Sequence, residues 1–226
     1  MTTFSIARSE LILGGQKSGK SRRAELLARG WLAQSPGHDA VLIATAQPWD
    51  EEMRQRIARH QEDRAERVSG LRTLEEPLQL AQALTQCSSP HTLVVVDCLT
   101  LWLTNWLMPA EPPPPKSESE SESESEGALE CAPAEVVQMQ TAQTAQAVHA
   151  AQAAQVQIAL LLRAIEQAPG PVILVGNEIG LGVIPLGRET RAFVDALGLL
   201  NQSVAQACER VTLMAAGLPL TLKGQP

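Results

Sequence analysis

Leu11-Ile12-Leu13-Gly14-Gly15-Gln16-Lys17-Ser18-Gly19-Lys20-Ser21 is an apolar run that enters G-x-x-x-x-G-K-S, and its reading decides the fold. A phosphate chain can be cradled by backbone N–H groups only where glycines let the chain curl around it. In such a loop Gly14, Gly15, Gln16, Lys17, Ser18 and Gly19 supply the cradle and Lys20 reaches the β- and γ-phosphates. Ser21 ligates Mg²⁺, and the following helix points its N-terminus at the anion. The flank agrees. Ala24, Leu27, Ala28, Trp31 and Leu32 recur at i, i+3, i+4, i+7 and i+8, so the helix has one face to lay on a sheet. A glycine-rich turn matching by accident would not need strand, loop, Lys-Ser and helix in register.

Working outward, Thr92-Leu93-Val94-Val95-Val96 reads as a buried strand ending in Asp97. An acid at that end, downstream of a phosphate loop, can hold Mg²⁺ directly or through water. Capping of the next helix is the competing reading of Asp97, and the two are compatible. Ala40 to Thr45 is another buried strand, and Asp50-Glu51-Glu52 caps a helix through about Glu66 whose stripe is Met53, Ile57 and His60. Leu71 to Leu74 is a short strand, and Glu75-Glu76-Pro77 opens a helix with proline at its first position. Leu99, Trp102, Leu103, Trp106 and Leu107 form an amphipathic helix. Pro171 to Val175 is a strand that enters Gly176-Asn177-Glu178-Ile179-Gly180-Leu181-Gly182, at the edge where open α/β sheets bind ligands. A helix is expected from Glu189 to Cys208, then a strand pair, Arg210 to Ala215 and Leu220 to Lys223, around Gly217-Leu218-Pro219. Strands alternating with helices predict an α/β fold: a mainly parallel sheet covered on both faces.

The 226 residues suit one such domain. Pro112 to Pro115 disfavours helix, and Ser117 to Glu126 alternates serine with glutamate, so about 109–133 is expected to be a disordered, solvated insertion. An Ala/Gln-rich helix follows over about 134–168, its packing stripe (Ile158, Leu161, Leu162, Ile165) beginning only near Gln155. The five glutamates of the alternating run Ser117 to Glu126 supply most of the net charge of −7. Without a Lys/Arg cluster or a stacking surface, no nucleic-acid partner is expected. Cys87, Cys98, Cys131 and Cys208 show no metal spacing and read as reduced thiols. With no signal pattern and no bilayer-length apolar run, a cytoplasmic location is expected.

Several stretches together resemble one family, the bifunctional adenosylcobinamide kinase and adenosylcobinamide-phosphate guanylyltransferase of cobalamin biosynthesis. They are Leu13 to Ser21 with Ala24-Glu25, Ile43 to Ala46 with Asp50 to Met53, and Arg56 to His60 with Asp63-Arg64. Glu75 to Leu78, Val96 to Trp102, Asn177 to Gly182 and Ala216 to Pro219 complete the set, in the family's order. The D-E-E-M-x-x-R-I-x-x-H and N-E-x-G-x-G runs are more specific than the phosphate loop alone. The resemblance implies a RecA-like P-loop sheet, often a homotrimer, that passes a phosphate from ATP or GTP to adenosylcobinamide. It then transfers GMP from GTP, through a histidine, to the phosphate, giving adenosylcobinamide-GDP. Carried over by position, His60 matches the guanylylated histidine, Gly14 to Ser21 the phosphate loop, and Glu76 and Asp97 acids near the guanine nucleotide and metal. Pro48, Trp49 and Asp50 match a nucleotide-contacting loop. After Asp63-Arg64 the chain reads Ala65-Glu66-Arg67-Val68, where the family continues with proline and, a few residues on, tryptophan.

From spacing alone, a single histidine on an amphipathic helix is more often packed or capping than nucleophilic. A half-buried place would nonetheless suit a nucleophile, since the imidazole must be neutral to attack the α-phosphorus. His38, His91 and His149 read as ordinary, without partners. Three functions compete: the bifunctional cobinamide enzyme, a small-molecule P-loop kinase without guanylyl transfer, and a non-catalytic GTP- or ATP-binding module. The last, as a GTP switch, would want an N-K-x-D guanine-reading sequence, and the chain has none.

Overall fold

A computed structural model of the chain describes residues 5–48, 51–108, 133–182 and 184–225, and within these leaves out the side chains of 56, 60, 63, 65, 66 and 133–147. The elements run β1 (Ser9–Gly14), α1 (Lys20–Leu32), β2 (Asp39–Ala44), α2 (Glu51–Arg67), β3 (Leu71–Glu75), α3 (Leu80–Cys87), β4 (Thr92–Asp97) and α4 (Leu99–Leu107). After them come α5 (Pro133–Gln167), β5 (Val172–Val175), α6 (Arg188–Ala207), β6 (Arg210–Ala215) and β7 (Leu218–Lys223). The strands form one seven-stranded sheet in the order β3-β2-β4-β5-β1-β6-β7. Every pairing is parallel except β6 with β7. β5 lies between the phosphate-loop strand β1 and the acid-tipped strand β4.

Alternate strand residues feed two cores, because successive side chains of a strand point to opposite faces. Leu11, Leu13, Val94, Val96, Val172 and Leu174 pack with α3, α4, α5 and α6, whereas Ile12, Leu42, Val95, Ile173 and Val175 pack with α1. The five inner strands are therefore apolar on both faces, as parallel strands flanked by helices must be. One exception is Glu10, only 1% exposed on β1. Its carboxylate accepts from Arg23 at 3.0 and 3.1 Å, from Arg210 at 3.3 Å and from Thr212 at 2.8 Å, tying α1 and β6 to β1. A buried charge is tolerated only when paired and hydrogen-bonded in this way.

Two boundaries differ from the sequence reading. Pro77 does not open α3, which starts at Leu80. Glu76 Oε1 instead accepts from the Leu78 and Gln79 amides at 2.9 and 2.8 Å, holding a turn that precedes the helix. Pro219 was expected in a turn but lies within β7, paired with Met214. Its missing N–H costs nothing there because β7 is an edge strand. His38 is also not without partners: its ring stacks on Trp31 at 3.7 Å and its Nδ1 lies 2.9 Å from the Trp31 carbonyl. The expected insertion, apart from Pro133, which opens α5, falls outside the described residues.

Candidate functional site

The phosphate loop joins β1 to α1 at the carboxyl edge of the sheet. Gly14 has φ +154°, and a Cβ there would stand 2.5 Å from the Met214 carbonyl oxygen and 2.6 Å from Ser18 Oγ, so no other residue fits. Gly19 caps α1 at φ +99°, a left-handed conformation that glycine adopts without strain. Lys20 is 8% exposed and its Nζ donates to the Gly15 carbonyl at 2.6 Å, folding the cation over the loop. Ser18 Oγ is buried without a hydrogen-bond partner. An orphaned donor inside a glycine cradle at a helix N-terminus is what a bound phosphate oxygen would satisfy.

The neighbouring strands end at the same level. Asp97 pairs in register with Ala44 on one side and Val175 on the other. Asp97 does not cap α4, whose N-cap is Cys98 without a side-chain bond, and among the described residues no hydrogen bond or ion pair reaches its carboxylate. The charges of Asp97 and Lys20 both reach Cys98, whose thiol is pushed up to about 11 by burial and by the Asp97 charge, with Lys20 opposing. Ser21 stands next to Lys20 on the first turn of α1. A hydroxyl and a carboxylate are the hard oxygen donors that Mg²⁺ takes alongside phosphate oxygens. Among the described residues no group of three or more His, Cys, Asp or Glu could hold a metal by itself.

These loops are locked by buried polar side chains that sequence reasoning missed. Thr45, 0% exposed, accepts from the Cys98 amide at 2.9 Å and donates to the Cys98 carbonyl at 2.7 Å. Asn105 donates to the Thr45 and Pro77 carbonyls at 2.8 and 3.0 Å, and Trp102 and Trp106 both donate to the Leu78 carbonyl. Thr100 accepts from the Asn177 amide at 2.8 Å, and Asn201 donates to the Asn177 carbonyl at 3.1 Å. The Glu178 amide then donates to the Gly14 carbonyl at 3.1 Å, joining the loop after β5 to the phosphate loop. The legible signal was Asn105 itself, a polar residue three positions after Trp102 on the apolar face of a helix.

The family described as cobinamide kinase / cobinamide phosphate guanyltransferase matches residues 10–222. The chain belongs to this family. A "bifunctional adenosylcobalamin biosynthesis protein CobP" of Pseudomonas aeruginosa is 43% identical over 217 residues, which are 96% of this chain and 98% of that one. The "CobU" proteins of the same description from Escherichia coli and Salmonella typhimurium are each 30% identical over 213 residues, 94% of this chain and 98% of theirs. Among solved structures, the flagellar accessory protein FlaH of Methanocaldococcus jannaschii superposes with a TM-score of 0.44 at 13% identity, covering 98% of this chain and 81% of that one. A protein of Pyrococcus horikoshii gives 0.44 at 10%, covering 99% and 90%. Likenesses at that level carry no argument, and the fold stands on the strand order. As a family member, the protein is a bifunctional cobinamide kinase and cobinamide phosphate guanylyltransferase of adenosylcobalamin biosynthesis.

In this cobinamide kinase the remaining sequence-derived residues are placed as follows. Pro48 is exposed at the end of the β2 segment, and Trp49 and Asp50 lie outside the described residues. His60 is on α2, with its side chain outside the description. Glu76 follows β3, its amide bonded to the Ala44 carbonyl at 2.9 Å, so its backbone sits beside the β2 end even though Oε1 is engaged in the turn. The C-terminal end of α2 is tied to α1 by Arg67 Nη1, 3.2 Å from Glu25 Oε2. Glu25 is 4% exposed, and burial raises its pKa above the usual carboxylate value, Arg67 and Arg64 opposing and Asp97 adding to the rise.

Proposed function

We propose that one nucleotide site, built on the loop Gly14 to Ser21 with Asp97 beside it, serves both reactions of the family. The observation that carries this reading is the cradle itself: a glycine that admits no Cβ, a left-handed helix cap, a buried lysine and an orphaned serine hydroxyl converge at one helix N-terminus. In the kinase step the hydroxyl of cobinamide attacks the terminal phosphorus of ATP or GTP and the nucleoside diphosphate leaves. Lys20 offsets the charge that develops on the transferred group. Ser21 and Asp97 would hold Mg²⁺, which neutralises phosphate charge when bound.

In the guanylyl step His60 serves as nucleophile. A bond forms from its imidazole to the α-phosphorus of GTP as the bond to pyrophosphate breaks, and a phosphate oxygen of cobinamide phosphate then takes the GMP. Support comes from chain path, because α2 follows β2, whose end at Thr45 bonds to the Asp97 carbonyl at 3.1 Å. Pro48, Trp49, Asp50 and Glu76 are assigned to the guanine nucleotide by the family resemblance. We take the whole chain as a single domain with an insertion at about 109–133, working as a homotrimer in the cytoplasm and without a nucleic-acid partner. The net charge of −7 supports the last point. Among the described residues no helix is long and apolar enough to cross a membrane.

The experiment is incubation with GTP labelled at the α- or the γ-phosphate. Wild type retains α-label. His60→Ala loses that label and the product adenosylcobinamide-GDP but still phosphorylates cobinamide, whereas Lys20→Ala loses both reactions by about 10²-fold or more. A folded His60→Ala protein that still carries α-label refutes the histidine assignment, and wild-type turnover by Lys20→Ala refutes the site.

A further inference from the structure

We propose that the corrinoid acceptor lies in the open groove between the loop after β5 and the outer face of α6, and that Gly198 is kept bare so that the macrocycle can rest against the helix. This rests on the placement of the nucleotide at the phosphate loop. The groove, about 690 Å³, is lined by Ile179, Gly180, Ile184, Val194, Gly198 and Leu199 among others. Its apolar side chains are left in water, Leu199 at 64% and Ile184 at 76% exposure, with Leu181 and Leu186 nearby in the chain at 81% and 98%. Several large apolar groups exposed together on one wall and floor indicate a surface that is covered in use.

Gly198 is the informative residue. It stands in the interior of a twenty-residue helix, where glycine costs about 1 kcal/mol relative to alanine. Neither of the usual structural reasons applies: its φ is not in the left-handed region, and a Cβ built on it meets nothing within 4 Å. The bare backbone is not needed for packing within the chain, which leaves close approach of something outside it.

Continuity with the nucleotide site identifies that occupant as the acceptor. The Gly180 amide donates to Glu178 Oε1 at 3.1 Å, and the Glu178 amide donates to the Gly14 carbonyl at 3.1 Å. The inner end of the groove is thus two hydrogen bonds from the phosphate cradle. Asn201, on the same helix as Gly198, donates to the Asn177 carbonyl, so the groove floor is tied to the loop that meets the cradle. Arg191 fixes the outer wall by donating to the Pro185 and Leu186 carbonyls. A corrinoid is a broad, methyl-studded ring fringed with amides. It is too large to be swallowed whole and suits an open apolar wall with a flat place in its floor and with Gln202 and Asp195 at hand for the amides.

The test uses the full chain carrying Gly198→Trp, Leu199→Arg or Gly198→Ala. With nucleotide saturating, the KM for cobinamide in the kinase reaction should rise about tenfold or more in the first two. The KM for ATP, retention of α-label from GTP and the mass in solution should stay at wild-type values. Gly198→Ala should melt at or above the wild-type temperature while binding cobinamide less well. As a second measurement, Leu199→Cys should be alkylated more slowly when cobinamide is present and at an unchanged rate with ATP alone, the site being identified by peptide mass. An unchanged cobinamide KM with no protection at position 199 overturns the proposal, as does a change of mass without a change of KM, which would make this face a contact between copies of the chain. Neither result touches the phosphate-loop reading, which fails only if Lys20→Ala remains active.

Discussion

Replacing Thr45 by valine tests how Asp97, the acid proposed to hold Mg²⁺, is kept in place. The side chain is fully buried, and its Oγ1 makes both bonds to Cys98, the residue after Asp97. Valine keeps the volume and removes the hydroxyl. The Cys98 carbonyl retains the Trp102 amide at 3.1 Å, but the Cys98 N–H is left without an acceptor among the described residues. Stranding a buried N–H costs about 1–3 kcal/mol, and the second lost bond adds about 0.5–1.5 kcal/mol. A loss of about 2–4 kcal/mol is therefore expected, and with a urea slope of about 3 kcal/mol/M the midpoint falls by roughly 1 M. Because the stranded amide adjoins Asp97, the Mg²⁺ concentration giving half-maximal kinase rate should also rise. Thr45→Ser keeps the hydroxyl and loses one methyl, about 1 kcal/mol, so it should lie between wild type and valine. A valine variant with a midpoint within about 0.2 M of wild type, or a serine variant less stable than valine, refutes the reasoning.

Three further predictions follow from the same geometry. Since burial raises the Glu25 pKa, the folded chain holds that proton after the unfolded chain has released it, so stability falls as pH rises from the ordinary value of 4.5 to the raised one and is level above it. The wild-type minus Glu25→Gln difference in urea stability should show this decline, and a flat or rising difference counts against it. The Cys98 and Cys208 thiols, pushed up to about 11 and about 12, should resist a thiol reagent at pH 8 until the chain is unfolded; native labelling at Cys98, read by peptide mapping, contradicts the burial argument. Replacing residues 110–132 by a short Gly/Ser linker should leave the melting temperature and both activities nearly unchanged, because the alternating Ser-Glu run has nothing apolar to bury. A large drop in melting temperature would show that the insertion packs on the domain.

What the sequence determined by itself was whatever is governed by local rules. The phosphate loop could be read because Gly14, Gly19 and Lys20 are demanded by backbone conformation and charge within eight residues. The strands and helices could be read because a continuous apolar run such as Thr92 to Val96 marks a strand buried on both faces, and the 3.6-residue period of buried side chains survives in Leu197, Leu200 and Val204. The tertiary structure alone decided the order of strands, which puts β5 between β1 and β4 and so sets Asp97 one strand away from the phosphate-loop strand. It also decided that Pro219 joins a strand, since only an edge position excuses the missing donor. Thr45, Asn105 and Asn201 show the same limit: each is an ordinary polar residue until a carbonyl or amide from a distant loop arrives beside it, with Asn105 and Thr45 sixty residues apart. A hydrogen bond between distant segments leaves no period in the sequence. It is specified only by the packing that brings the segments together.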